Sequence, residues 1–272
     1  AAAPRARSRG ESWFSGLFGG SRSVEWDDGG RNMSATWSDD DRRLSIRAHG
    51  VVVFADDESG IASLGDDGYL LIKERRHGER RELEAEADGD GGITYRYWVE
   101  GKEQPFDNEA QEWLADVIPD ILRNTGLGAE GRVQRLYERG GVTAVLREVS
   151  LMESDYVRSL YVRHLVEQRD LSEEEVVRVL HVIDEEIDSD FERANSLGAL
   201  GDEIKEHPDV LDEYVSTVRG IDSDFEVRRT LQQLHLDEEL SDEVVAAVLN
   251  AAEEMDSDFE RAELLIALAP HS

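Results

Sequence analysis

Cysteine is absent from all 272 residues, lysine is confined to Lys73, Lys102 and Lys205, and proline occurs five times. Without cysteine there are no disulfides, no thiolate metal ligands and no thiol nucleophile. No stretch reaches the roughly 18 apolar residues that a membrane-crossing helix needs, so no membrane insertion of the mature chain is expected. Basic charge is scarce too: 62 Asp and Glu stand against 30 Lys and Arg, a formal net charge of -32. Such a chain repels nucleic acid and anionic lipid, whose binding begins with Lys and Arg neutralising phosphates. Basic proteins, cationic peptides or metal ions fit it electrostatically. An acidic, lysine-poor surface suits solubility in strong salt and equally suits a GC-rich genome; the residues leave both open.

What is present falls into zones. Residues 1–22, rich in Arg, Ser and Gly around the apolar island "SWFSGLF", read as a flexible leader. The opening "AAAPRARSRG" has small residues and no initiator Met, as after signal-peptide removal or in a shortened chain. Residues 23–103 carry period-two segments such as "RLSIRAHG", "GYLLIKE", "RRELEAEA" and "GITYRYWVE", parted by "DDGG", "DDESG", "GDDG" and "DGDGG". Asp-Gly and Gly-Gly accept the positive φ of tight hairpins, so an antiparallel β-meander of about seven strands is expected. Leu83, Ala85 and Ala87 alternate with Glu82, Glu84 and Glu86, which leaves one face wet. Trp98, Tyr95 and Tyr97 are the aromatic binding candidates here, with two of the three expected in the core.

Residues 104–140 are expected to form a helical connector closing the sheet. "FDNEAQEWLADVIPDILRNTG" offers Asp107 or Asn108 as cap, an apolar stripe of Trp113, Leu114, Val117, Ile118 and Ile121, and Gly126 as stop. Pro119 predicts a kink.

Residues 141–272 repeat themselves. "IDSDFERANSLGAL" begins at Ile187, "IDSDFEVRRTLQQL" at Ile221, "MDSDFERAELLIAL" at Met255, and a weaker "MESDYVRSLYVRHL" at Met152. Ser189, Ser223 and Ser257 each stand three before Glu192, Glu226 and Glu260, the spacing of a capping box. Phe191, Phe225, Phe259 and Tyr156 are expected to open the buried stripe of each helix. A second amphipathic helix precedes each phrase, near 142–152, 173–186, 209–220 and 242–255, with its own box at Ser172 and Glu175. Four helical hairpins of about 34 residues cannot bury their faces alone, so they stack into a HEAT-like α-solenoid. The fold class expected is therefore α+β. Asp188, Asp222 and Asp256 lie outside the boxes; a ladder to Arg193, Arg228 and Arg261 is the favoured use of them, and a row of exposed carboxylates the alternative.

The series "GYLLIKER", "RRELEAEA", "YWVEGKEQPFD", "EWLADVIPDILRNTG", "GRVQRL" and "RGGVTAVLREVSLMESDYVRSLYV", followed by the "IDSD(F/Y)E" phrases, resembles an extracytoplasmic region of bacterial proteins. Some of those are relatives of penicillin-sensor transmembrane metallopeptidases. The resemblance runs from about residue 44 to the end. It implies an exported, periplasmic or secreted accessory, sensory or interaction module. No HExxH occurs, so no peptidase residue carries over.

Other constellations read as structure. "GLGAEG", Gly126 to Gly131, fits a dinucleotide loop in letters, but follows a helical pattern instead of a strand. Glu86, Asp88 and Asp90 partly match a calcium loop, though Tyr97 stands where a bidentate glutamate belongs; a hairpin turn is favoured. His164, His181 and His235 are scattered singly along the helices. The sequence thus predicts a non-enzymatic module with no cofactor and no catalytic residue, binding a basic protein or peptide. A hydrolase at the junction of the two regions and a calcium-stabilised module are the alternatives.

Overall fold

Among the described residues, short β-rich segments between acidic turns become nine strands: β1 Ser21–Asp27, β2 Asn32–Ser38, β3 Arg42–His49, β4 Val52–Phe54, β5 Ile61–Leu64, β6 Tyr69–Arg76, β7 Glu79–Ala87, β8 Ile93–Val99 and β9 Lys102–Gln104. The computed structural model describes residues 21–27, 31–38, 40–234 and 242–268; nearly all of the expected leader lies outside these. The chain divides into two compact units, Ala1–Gly128 and Ala129–Ser272.

In the first unit seven strands form one antiparallel sheet in the order β1-β2-β3-β6-β7-β8-β9, and β4-β5 make a separate ribbon. Hairpin register follows the turn chemistry. Gly89 and Gly91 take φ of 83° and 86°, which only glycine adopts cheaply, and Leu83 then pairs with Ile72 on one side and Tyr97 on the other. One face is apolar: Ile46, Ile72, Leu83, Ala85 and Tyr97 are buried. Helix α1, Asn108–Thr125, covers it with Trp113, Leu114, Val117, Ile118 and Ile121 in the same core. Asp107 caps α1 by accepting from the Glu109 and Ala110 N–H groups at 3.1 and 3.3 Å, and Gly126 at φ 70° ends it. Pro119 lies inside this continuous helix.

A buried ionic knot fixes the docking of α1. Glu74, 5% exposed, accepts from Trp113 Nε1 at 2.6 Å and from Arg42 Nε at 2.5 Å, while Arg42 also donates to Asp120. Trp113 therefore contributes both area and a satisfied N–H.

The second unit is helical. Helix α2, Ala129–Val149, is interrupted where Gly141 takes φ 63°. Its first half was expected to close the sheet, yet Ala129 and Val133 belong to the helical core, so the break between units falls at 128–129 instead of 140–141. Then come α3 Asp155–Gln168, α4 Glu173–Glu186, α5 Asp190–Ala199, α6 Gly201–Glu206, α7 Leu211–Arg219, α8 Asp224–Gln232, α9 Asp242–Glu254 and α10 Asp258–Leu268. A 3-10 turn, Pro208–Val210, links α6 to α7. The leading helices α2, α4, α7 and α9 pack in sequence, as do the following helices α3, α5, α8 and α10. That double stack is an α-solenoid of four hairpins. Its continuous core holds Ile187, Leu197, Tyr214, Val218, Leu231 and Val248.

Candidate functional site: an aromatic and acidic ridge

Each copy of the phrase starts a following helix. The hydroxyls of Ser189, Ser223 and Ser257 accept from the backbone N–H of Glu192, Glu226 and Glu260 at 3.5, 3.4 and 3.3 Å. That is the expected half of the box. The other half differs. The cap N–H of Ser189 is received by Asp155 at 2.9 Å, that of Ser223 by Asp190 at 2.9 Å, and that of Ser257 by Asp224 at 2.6 Å. In each case the acceptor is the first-turn aspartate of the preceding copy. A carboxylate already held at a helix N-terminus is better placed for the neighbouring cap than a flexible glutamate three residues on. The glutamates turn elsewhere: Glu226 meets Arg229 at 2.6 Å, and Glu260 takes Arg228 of the preceding repeat. At Ser172 both arms of the box close, with Glu175 accepting from the Ser172 N–H at 3.0 Å.

The favoured Asp–Arg ladder does not form. Arg193 donates from each of its three guanidinium nitrogens to backbone: Ile187 O at 3.0 Å, Asp184 O at 3.0 Å and Gly220 O at 2.7 Å. Two of these lie at the C-terminal end of α4 and the third follows α7, so one guanidinium ties consecutive repeats at the negative helix ends. Arg158 and Arg261 likewise grip the carbonyls of Glu186 and of Ala252 and Met255. The third copy has buried Val227 at this place, and Arg228 is one residue out of register. Asp188, Asp222 and Asp256 are exposed, and among the described residues none has an ion pair.

The aromatic residue of the phrase is the second correction. Tyr156, Phe191, Phe225 and Phe259 are 40%, 55%, 49% and 66% exposed. The buried apolar anchor is the first letter instead, Met152, Ile187, Ile221 and Met255. The reason is rotational. The phenylalanine is the second residue of its helix and Arg193 or Val227 the fourth, two steps of roughly 100° each, so burying one turns the other outward. Because the phrases touch through the Asp-to-Ser bonds, these rings and aspartates form one ridge along the following helices.

The ring faces already attract guanidinium. Arg229 lies over Phe191 at 5.3 Å and Arg228 over Phe225 at 5.2 Å from the ring centres. Partial burial, against the nearby Arg163, pushes the Tyr156 phenol above its ordinary value, so it stays a neutral hydroxyl.

The remaining candidates scatter. Asp88 accepts from the N–H groups of Asp90 and Gly92 at 2.9 and 2.8 Å inside the β7–β8 hairpin, and Glu86 lies 3.6 Å from Arg96. Those three acids are not gathered as ligands. Among the described residues the group that does bring ligand atoms within 4.8 Å is Glu203, Glu206 and His207, missed in the sequence although Glu203 and His207 stand at the i, i+4 spacing that puts two side chains on one helix face. There His207 Nε2 lies 2.8 Å from Leu171 O and so carries the proton. His164 and His181 sit beside Glu167 and Glu213 at 3.4 and 3.1 Å, while His235 lies outside the described residues. Tyr97 is buried against Trp113, Tyr95 stacks on Phe106 at 4.3 Å, and Trp98 points to the open face. Compared with protein-family models, curated proteins and solved structures, the chain gives no match.

Proposed function

We propose that this chain is a non-enzymatic recognition module whose solenoid ridge binds an arginine-bearing protein segment. One observation carries the reading: an exposed aromatic ring recurs at the same place in all four repeats, with an exposed aspartate three residues before it in three of them. A ring face and a carboxylate side by side suit a guanidinium, which stacks on the first and pairs with the second. The stacking of the chain's own Arg228 and Arg229 supports that chemistry, and the net charge of -32 favours a cationic partner on approach. Repetition multiplies modest contacts along one extended ligand. The extracytoplasmic setting follows from the resemblance of residues 44 onward and belongs to the same proposal.

Fluorescence anisotropy with a labelled peptide of alternating Arg and Gly tests this, against a matched Glu–Gly peptide. The triple variant Phe191→Ala, Phe225→Ala, Phe259→Ala removes exposed rings and leaves the core intact. Binding of the Arg peptide should weaken at least tenfold in the triple variant and fall as salt rises. Equal affinity in the wild type and the variant would refute the ridge.

A further inference from the structure

The open face of the sheet carries a feature that the ridge does not explain. Arg43 pairs across strands with Arg75, and Arg75 with Arg80, so three arginines stand in one row over β3, β6 and β7. All three are exposed, and among the described residues none has a carboxylate partner. Like charges directly opposite each other destabilise a sheet. In a chain with twice as many acids as bases, an unpaired row of cations is a cost left uncorrected. The row lines an open groove of about 600 Å³ together with Trp98. Neighbouring charges are already engaged: Lys73 pairs with Glu82 at 2.8 Å, and Glu100 accepts from the Arg80 backbone N–H at 2.7 Å.

We infer that this groove is a binding site for a small ligand bearing a phosphate or sulfate group, which Arg43, Arg75 and Arg80 clamp beside Trp98. Adjacent strands lie about 4.8 Å apart, so the row spans roughly 10 Å, the reach of one or two tetrahedral oxyanions. A long polyanion does not fit. Beyond the row, Glu84 and Glu86 on the same face hold Arg96 at 2.8 and 3.6 Å, and the net charge of the chain is strongly negative. Trp98, which lines the groove and has Arg96 over its ring at 5.8 Å from the centre, offers aromatic surface for an organic body attached to the anion.

Isothermal titration of the whole chain with inorganic phosphate and with phenyl phosphate, at ionic strength matched by chloride, tests the site. Both anions should bind, and the double variant Arg75→Gln, Arg80→Gln should weaken both at least tenfold. Trp98→Ala should erase any advantage of phenyl phosphate over phosphate; equal binding of the two by the wild type would mark a site for the free anion. With no anion present the double variant should melt no lower than wild type, because it relieves repulsion. Absence of binding in the wild type, or unchanged binding in the double variant, would overturn the inference. So would a double variant that melts lower without ligand, since the row would then be a structural element.

Discussion

Asp190 shows how much a single residue of the phrase does. Its carboxylate accepts from the N–H of Ser223 at 2.9 Å and of Asp222 at 3.2 Å while sitting in the first turn of its own helix. Asp190→Ala should cost about 1–2 kcal/mol, the worth of charge-assisted bonds at a partly buried cap. Asp258 holds the same place in the last copy, where its side chain is 98% exposed. Asp258→Ala should change stability by less than about 0.5 kcal/mol, and paired thermal melts compare the two. Glu203 offers a pH-dependent contrast. Burial, partly offset by a backbone hydrogen bond from Leu171, raises its carboxyl above the ordinary value. A raised acid binds its proton more tightly folded than unfolded. Its stabilising contribution is complete below the unfolded value near ~4.3 and is lost as pH rises through the folded one. Glu203→Gln should therefore melt above wild type near about pH 7, with the gap narrowing as pH falls toward about 5. At this scale the sequence disclosed the serines and little else. A serine three before a glutamate is a local signal, whereas the partner of the serine N–H lies 33 or 34 residues away. Phenylalanine was misplaced because its apolarity outweighed its phase relative to Arg193 and Val227.

Whole elements were far more visible, because their signals are periodic and punctuated. The meander followed from turns such as Asp88-Gly89 and Asp90-Gly91, whose glycines bear positive φ, and the solenoid from the 34-residue recurrence. The split of α2 at Gly140–Gly141 follows from the same chemistry, since φ 63° combined with ψ -160° at Gly141 is a conformation essentially confined to glycine. What stayed hidden was how elements are pinned together. Glu74 sits in an alternating strand where it reads as a solvent charge, and only the packed structure brings Arg42 and Trp113 to it. Glu74→Leu should lower stability by about 3 kcal/mol, since it leaves the buried Trp113 indole N–H without its acceptor and takes from Arg42 one of its two carboxylates, Asp120 remaining. Retention of the melting midpoint within about 1 °C would show that α1 docks by apolar area alone. Gly201 pins α6 in another way: a Cβ there would lie 2.6 Å from Gln233 O. That main-chain atom cannot swing aside as a side chain would, so Gly201→Ala should destabilise by about 1–3 kcal/mol. The same substitution at Gly60, where an added Cβ meets nothing within 4 Å, is the control.

Charge governs the molecule as a whole, and it should act on folding and on binding in opposite directions. With a formal net charge of -32, the folded chain repels itself, because its acids outnumber its bases by 62 to 30. Raising ionic strength from about 0.1 to 1 M shortens the screening length from roughly 10 to 3 Å. Dispersed repulsion fades over that range, whereas the Asp-to-Ser bonds that couple the repeats are contacts of 2.6 to 2.9 Å within partly buried joints and are screened much less. The midpoint of thermal unfolding should therefore rise with sodium chloride. Affinity of the ridge for an arginine peptide should fall over the same range, because attraction to exposed Asp188, Asp222 and Asp256 is what the salt screens. Melting curves and anisotropy titrations across one salt series read both. If stability and affinity fell together, exposed ion pairs would be holding the fold, and the acidic surface would serve structure before recognition.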